Sequence, residues 1–108
     1  MTTIEFYNQK GRITGFCCKG HSGYAEAGAD IVCAAVSTAV SFAEATICDV
    51  LGITCKTQVN EAEAMVRLML PASCEEDEDA VQAILSGMML TLCALHDEYP
   101  DYVEVLEV

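Results

Sequence analysis

One histidine and one cysteine stand twelve residues apart in a segment rich in glycine and alanine. His21 follows Gly20 and is separated from Gly23 by one serine, and Cys33 lies near the start of a long apolar pattern. A thiol near the start of a helix ionises more easily than a free thiol, because unpaired backbone N–H groups and the positive end of the helix dipole favour the thiolate. An imidazole within reach can accept the thiol proton and later return it. The pair is therefore typical of a cysteine nucleophile and its general base.

The residues between the pair favour a loop that leads into a helix. Residues 22–29 contain two glycines and predict a loop, and Asp30 is a strong N-cap residue for a helix that begins there. With Asp30 as the cap, Cys33 takes position N3, where an anionic sulfur meets the free backbone donors. The Asp30 carboxylate has enough acceptor sites to orient His21 as well as cap the helix.

A zinc site is the main chemical alternative, since Cys17, Cys18, His21 and Cys33 are all residues of ligand type. Adjacent residues of a strand point to opposite faces, however, and the chain contains no Cys-x-x-Cys pair. The pattern therefore favours thiol catalysis without a metal or other cofactor. Two other interpretations stay open at this point: a non-catalytic binding module in which Cys33 is an inert core residue, and a thiol acyltransferase or redox protein.

Composition narrows the class of protein. A chain of 108 residues suits one domain, its apolar content argues against disorder, and its longest apolar run, residues 31–40, predicts no membrane span. The first residues do not follow the pattern of a secretory signal, and an odd number of cysteines predicts free thiols in a reducing compartment. We therefore expect a cytoplasmic location. The formal net charge of −12 argues against nucleic-acid binding and favours basic partners.

The periodicity of the chain predicts elements in the order ββαββαβ. They are strands at 2–8 and 12–20, a helix at 30–51, strands at 53–59 and 64–70, a helix from a capping box at Ser73–Glu76 to about His96, and a strand at 102–107. Two hairpins indicate an α+β single domain with mostly antiparallel strands.

The first predicted helix is apolar on nearly all sides. Its exception is one narrow line, at spacings of four, four and three, that leads away from the predicted nucleophile: Cys33, Ser37, Ser41 and Glu44. A helix that is apolar all round is usually covered on more than one side. We therefore predict two helices packed between two small sheets, with both helices on one face of a single five-stranded sheet as the alternative.

The segment GHSGYAEAGADIVCAAVS closely resembles the signature of the ribosomal-processing cysteine proteases (Prp, also called YsxB-like proteins). The resemblance covers essentially the whole chain, since length, hairpin start, helix order and acidity also fit. It implies one cysteine protease domain over residues 1–108, with His21 as general base and acid and Cys33 as nucleophile. Gly20, Asp30 and Ser37 match positions around the site.

The resemblance also implies a substrate. Enzymes of this kind remove the N-terminal extension of a large-subunit ribosomal protein, cutting after a phenylalanine, and they commonly form homodimers. A basic ribosomal precursor would suit an acidic enzyme. The loop residues expected to contact the peptide are Ser22, Gly23, Tyr24 and Gly28. Neither a cofactor nor a metal is expected.

Overall fold

The structure, a computed structural model, describes residues 1–20 and 27–108, and of residues 27–30 it describes the backbone alone. Five strands and two helices follow the predicted order. The elements are β1 (Thr2–Gln9), β2 (Arg12–Lys19), α1 (Ala27–Glu44), which continues as a π-helical segment (Ala45–Val50), β3 (Lys56–Asn60), β4 (Met65–Met69), a 3-10 turn (Glu75–Asp77), α2 (Glu78–Glu98) and β5 (Val103–Glu107).

The five strands form one sheet in the order β3-β4-β2-β1-β5. The pairs β1–β2, β2–β4 and β3–β4 are antiparallel, and β5 lies parallel to β1. The predicted α+β class and element order are therefore confirmed. The expectation of two small sheets is wrong, and the alternative of a single five-stranded sheet is correct.

Both helices pack on the same face of this sheet. The register places Phe6 opposite Phe16 and Phe16 opposite Leu68, and all three side chains have no exposed surface. The residues that cover this row and are themselves buried are Val32, Val36, Val40, Ala43 and Ile47 from the first helix and Val81, Leu85, Met88 and Leu92 from α2. Burial of this apolar surface is the main favourable term in the stability of the fold.

The two-sheet prediction failed because the outer side of the first helix is apolar and exposed. Phe42 is 67% exposed and Val50 is 76% exposed, so no second layer formed by residues 1–20 or 27–108 covers them. By length and composition alone, Ile31–Val50 and Glu75–Glu98 would each suffice to cross a membrane, contrary to the expectation from the apolar run. In the fold, both helices use one side for the sheet. The apolar residues that do not face the sheet, such as Phe42 and Val50, are exposed on the other side.

The start of α2 is fixed by Glu78 and not by the predicted capping box. The hydroxyl of Ser73 accepts the N–H of Glu75 at 3.0 Å, which is a local turn, while a carboxylate oxygen of Glu78 accepts the N–H of Cys74 at 3.0 Å. At the other end of the helix, the Nδ1–H of His96 donates to the carbonyl of Val103 at 2.7 Å. This bond ties the last turns of α2 to the first residue of β5.

Arg12 joins the start of β2 to the start of α2. Its Nε and Nη2 groups donate to the Glu78 carboxylate over 3.0–3.2 Å, and Nη2 also donates to the carbonyl of Pro71 at 3.0 Å. Hydrogen bonding from Arg12 holds the pKa of Glu78 below its ordinary value. A bidentate pair of this kind fixes geometry as well as adding attraction.

We expect Glu78→Gln to lower the free energy of unfolding by about 1 kcal/mol near neutral pH, because the substitution removes a half-exposed bidentate ion pair. A carboxylate with a lowered pKa stabilises the fold above its unfolded pKa and loses that effect as pH falls through the folded pKa. Urea unfolding at neutral pH and again at about pH 3 should therefore show the difference and then its disappearance. Glu76→Gln, at an exposed position two residues earlier, is the control. An equal loss in the control would contradict a specific role for the pair.

Candidate functional site

A cavity of about 400 Å³ lies between the first helix and one end of the sheet. Helix α1 lines it with Cys33, Val36, Ser37, Val40, Ser41 and Glu44. The sheet side is lined by Thr2, Cys18, Gly20, Val59, Ala64 and Val66. The register explains this wall, because Cys18, Val66 and Val59 are direct neighbours across β2, β4 and β3. The cavity is thus a groove along α1 with an apolar floor.

Cys33 is half-buried and lines this cavity, so it is not a fully buried core residue. Across from it lies Cys18, whose pKa burial raises to about 11, with smaller contributions from Cys17 and Cys33. At neutral pH the Cys18 thiol is therefore un-ionised. Cys33 therefore has a neutral sulfur as its neighbour.

Helix α1 begins earlier than the sequence analysis predicts. It starts at Ala27, so Asp30 lies inside the helix and is not its N-cap, and Gly28 belongs to the helix and not to the predicted loop. Alanine has the highest helix propensity, so Ala27 and Ala29 favour the helix on both sides of the less favourable Gly28. Cys33 is therefore about two turns into the helix, beyond position N3.

This shift changes the physical account of the thiol. The helix dipole acts mainly within the first turn, and an amide two turns into an α-helix is already bonded to the carbonyl four residues earlier. The helix start therefore contributes little to Cys33. A neighbouring imidazole or other cation becomes the main means by which its thiolate could be favoured.

The polar line on the first helix coincides with the cavity. Ser37, Ser41 and Glu44 all line it together with Cys33, as their spacing on the sequence indicates. Val36 and Val40 lie between them and contribute its apolar part. The line is therefore part of the wall of the groove, and it reaches about three turns from the thiol.

Thr2 is a cavity residue that the sequence analysis did not identify. Its side chain is 3% exposed, and its hydroxyl oxygen is buried without a hydrogen-bond partner. A buried hydroxyl without a partner destabilises a protein, so such a group needs an explanation. No pattern in the sequence shows that this position borders a cavity.

Gly20 ends the second strand at the rim of the cavity in a conformation that suits glycine. Its φ is +83°, and a Cβ atom at this position would lie 2.6 Å from the carbonyl oxygen of Met1. Both the left-handed backbone and the close approach exclude a side chain. The residue directly before His21 is therefore restricted to glycine.

His21, Ser22, Gly23 and Tyr24 lie outside the described residues, so their predicted roles stay predictions. Of Asp30 the backbone is described, and it is helical. Within residues 1–20 and 27–108, no three His, Cys, Asp or Glu side chains are grouped to hold a metal ion. Cys17, as expected, faces away from the cavity, opposite Glu5 and Arg67 on the other face of the sheet.

Comparisons with known proteins give one matching family model and several solved structures of the same fold. The sequence model of a family described as "Cysteine protease Prp" matches residues 1–104. Two crystal structures of the essential ribosomal processing protease Prp from S. aureus share this fold. The complex with a substrate peptide is 21% identical with a TM-score of 0.85, and the complex with a covalently linked product peptide is 23% identical with a TM-score of 0.83. In both cases the whole of each chain is covered.

A third solved structure, SMU.848 from Streptococcus mutans, is 25% identical with a TM-score of 0.86, over all of this chain and 96% of that one. No curated protein matches the sequence closely enough to count as a relative.

We expect Gly20→Ala to destabilise the protein by at least about 2 kcal/mol, since a left-handed alanine and a backbone contact are both costly. Gly52 supplies the matched control, because its φ is +71° but a Cβ there would meet nothing within 4 Å. Gly52→Ala should cost only about 1 kcal/mol. Chemical unfolding of the two variants measures the difference. Equal losses would mean that the contact with Met1 is unimportant.

Proposed function

Because the chain belongs to the Prp family of cysteine proteases, we propose that it removes the N-terminal extension of a large-subunit ribosomal protein, cutting after a phenylalanine. The observation that carries the proposal is the half-buried Cys33 at one end of a groove with an apolar floor, within a chain that matches this protease family over residues 1–104. The S. aureus Prp structures, of the same fold, contain a substrate peptide and a covalently linked product peptide. The whole chain, residues 1–108, acts as one protease domain.

In the proposed mechanism, the Cys33 thiol gives its proton to His21 and the sulfur attacks the carbonyl carbon of the scissile bond. The imidazolium then returns the proton to the leaving amine, and a thioester joins the amino-terminal part of the substrate to Cys33. Water, deprotonated by His21, hydrolyses the thioester and restores the thiol. The position of Gly20 supports this assignment, because the chain leaves the cavity rim directly into residue 21.

The other predicted residues take supporting roles. Ser37 lines the groove one turn after Cys33, where its hydroxyl is available to the substrate. Asp30 lies one turn before Cys33 on the same helix, and we propose that its carboxylate orients His21. Ser22, Gly23 and Tyr24 contact the peptide from the loop, and Gly28 gives the first turn of α1 a close approach to it.

Charge supports the proposed substrate and location. A net charge of −12 attracts a basic ribosomal precursor and opposes direct binding to nucleic acid or to an anionic lipid surface. A cytoplasmic enzyme without metal or other cofactor fits seven cysteines that form no disulfide bond. The enzyme then meets its substrate in the compartment in which the substrate is synthesised.

We further propose that the enzyme is a homodimer that covers the outer side of its helices. Phe42 and Leu90 are 67% and 68% exposed on α1 and α2, and Ile31 and Val50 are also exposed. Between the helices runs a groove of about 540 Å³, whose walls include Ala35, Ala39 and Gly87. Exposed aromatic and aliphatic side chains beside a groove of small residues suit a self-complementary interface.

Cys33→Ala and His21→Ala should each lower the cleavage rate of the precursor by at least about 10³-fold, because each removes a reacting group. The measurement follows release of the extension by mass spectrometry. Cys93→Ala, which changes an exposed cysteine on α2, is the control and should cleave normally. Cleavage that survives in Cys33→Ala would overturn the nucleophile, and an unmodified precursor with the wild type would overturn the substrate.

Phe42→Gln should convert the dimer to a monomer, because it places an amide in an apolar interface. Analytical ultracentrifugation should give twice the 11.6 kDa chain mass for the wild type and the single mass for the variant. Leu106→Gln, at an exposed position on β5, should stay dimeric. A monomeric wild type, or a dimer in Phe42→Gln, would reject this interface.

A further inference from the structure

Glu44 is an acidic side chain at the far end of the groove, and no described lysine or arginine forms an ion pair with it. It is half-buried and lines the same cavity as Cys33. In the part of the chain that the structure describes, the ion pairs are Arg12–Glu78 and Lys19–Glu5, so no basic side chain neutralises Glu44. A carboxylate inside a groove with an apolar floor attracts a cation more strongly than one in open solvent.

The opposite end of the groove also presents a polar group without a partner. Thr2 lies beside Gly20, and its buried hydroxyl is unpaired. Between Thr2 and Glu44 the floor of the groove is mainly apolar, from Val36, Val40 and Val66, and Ser37 and Ser41 lie along its helical wall. The groove therefore offers a hydrogen-bonding group near the thiol, an apolar middle and an anionic far end, an order that suits an extended peptide with a basic residue.

The distance from Cys33 to Glu44 fixes where that basic residue lies. The two residues are eleven positions apart on the same side of α1, which corresponds to about 16 Å along the axis at about 1.5 Å per residue. An extended peptide rises about 3.3 Å per residue. Glu44 therefore faces a substrate residue about five positions from the scissile bond.

Resting on the proposed endopeptidase function, we propose that Glu44 is a specificity-determining residue that binds a lysine or arginine side chain about five residues from the cleaved bond. Thr2 binds a polar group of the peptide close to the thiol. Thr2 and Glu44 together fix the position of the peptide along the groove. The peptide bond that lies at Cys33 is thereby selected by a charge some 16 Å away.

The test uses neutral peptides with one constant cleavage sequence and a single lysine, moved through positions three to seven on each side of the scissile bond. For the wild type, kcat/KM should peak for one lysine position, about five residues away. Glu44→Gln should lower kcat/KM for that peptide about tenfold, mainly through KM, and leave a peptide without lysine unchanged. Glu44→Lys should prefer glutamate at the same position.

Two controls separate this role from simpler explanations. Asp49→Asn removes the same charge from an exposed position outside the groove and should leave the lysine preference intact. Thr2→Val should raise the melting temperature of the free protein, since it removes a buried unpaired hydroxyl, while lowering kcat/KM for all peptides. A merely structural role would not give greater stability together with weaker cleavage.

A flat dependence on lysine position, or equal losses in Glu44→Gln and Asp49→Asn, would overturn the assignment of Glu44 while leaving the endopeptidase intact. If the wild type cleaves no peptide, the proposed function fails instead. Binding of the same peptides to Cys33→Ala, measured by calorimetry, then still tests the groove. Equal affinity for peptides with and without lysine would reject it.

Discussion

The packing of two helices on one face of a single sheet is the constraint on which the rest of the structure depends. Phe6, Phe16 and Leu68 form a fully buried row across three strands, and both helices lie over it. The same register continues to the neighbouring row of Cys18, Val66 and Val59, which is less covered; Val59 is 65% exposed. The groove is therefore the part of the sheet face that the helices leave open.

One helix serves three surfaces at once. Its inner side packs on the sheet, one edge carries Cys33 and Glu44 along the groove, and its outer side exposes Phe42. A shift of the helix to improve core packing would also displace the thiol relative to Cys18. Close packing of the interior thus holds the Cys33 thiol in place, since a packed core resists displacement.

Much of this arrangement follows from sequence patterns. Alternation identified the strands, and spacing identified a polar line of Cys33, Ser37, Ser41 and Glu44 on the first helix. The structure places this line in the wall of the groove and Gly20 at its rim, which the sequence alone did not predict. The number of sheets did not follow, because an all-round apolar helix has the same pattern whether a second sheet or open surface lies on its outer side. The start of α1 was also misplaced, because Asp30 has a strong cap preference that the helix propensity of Ala27 and Ala29 overrides.

Contacts between residues that are distant in the sequence could not be predicted either. Thr2 became a site residue only through its position beside Gly20, and Glu78 replaced Glu76 at the start of α2 because Arg12 approaches from another strand. Such contacts depend on strand order, which local periodicity does not encode.

The parallel pairing of the first and last strands has a consequence for biosynthesis. The N–H of Thr2 donates to the carbonyl of Tyr102 at 3.0 Å, and Thr2 pairs with Val103. The edge of β1 that pairs with β5 therefore stays unpaired until the end of the chain has been synthesised. This long-range pairing is slow compared with hairpin formation. Because Thr2 lines the groove, the wall of the groove is complete only when translation is nearly finished. Cys33 is thus synthesised before the groove that surrounds it can form.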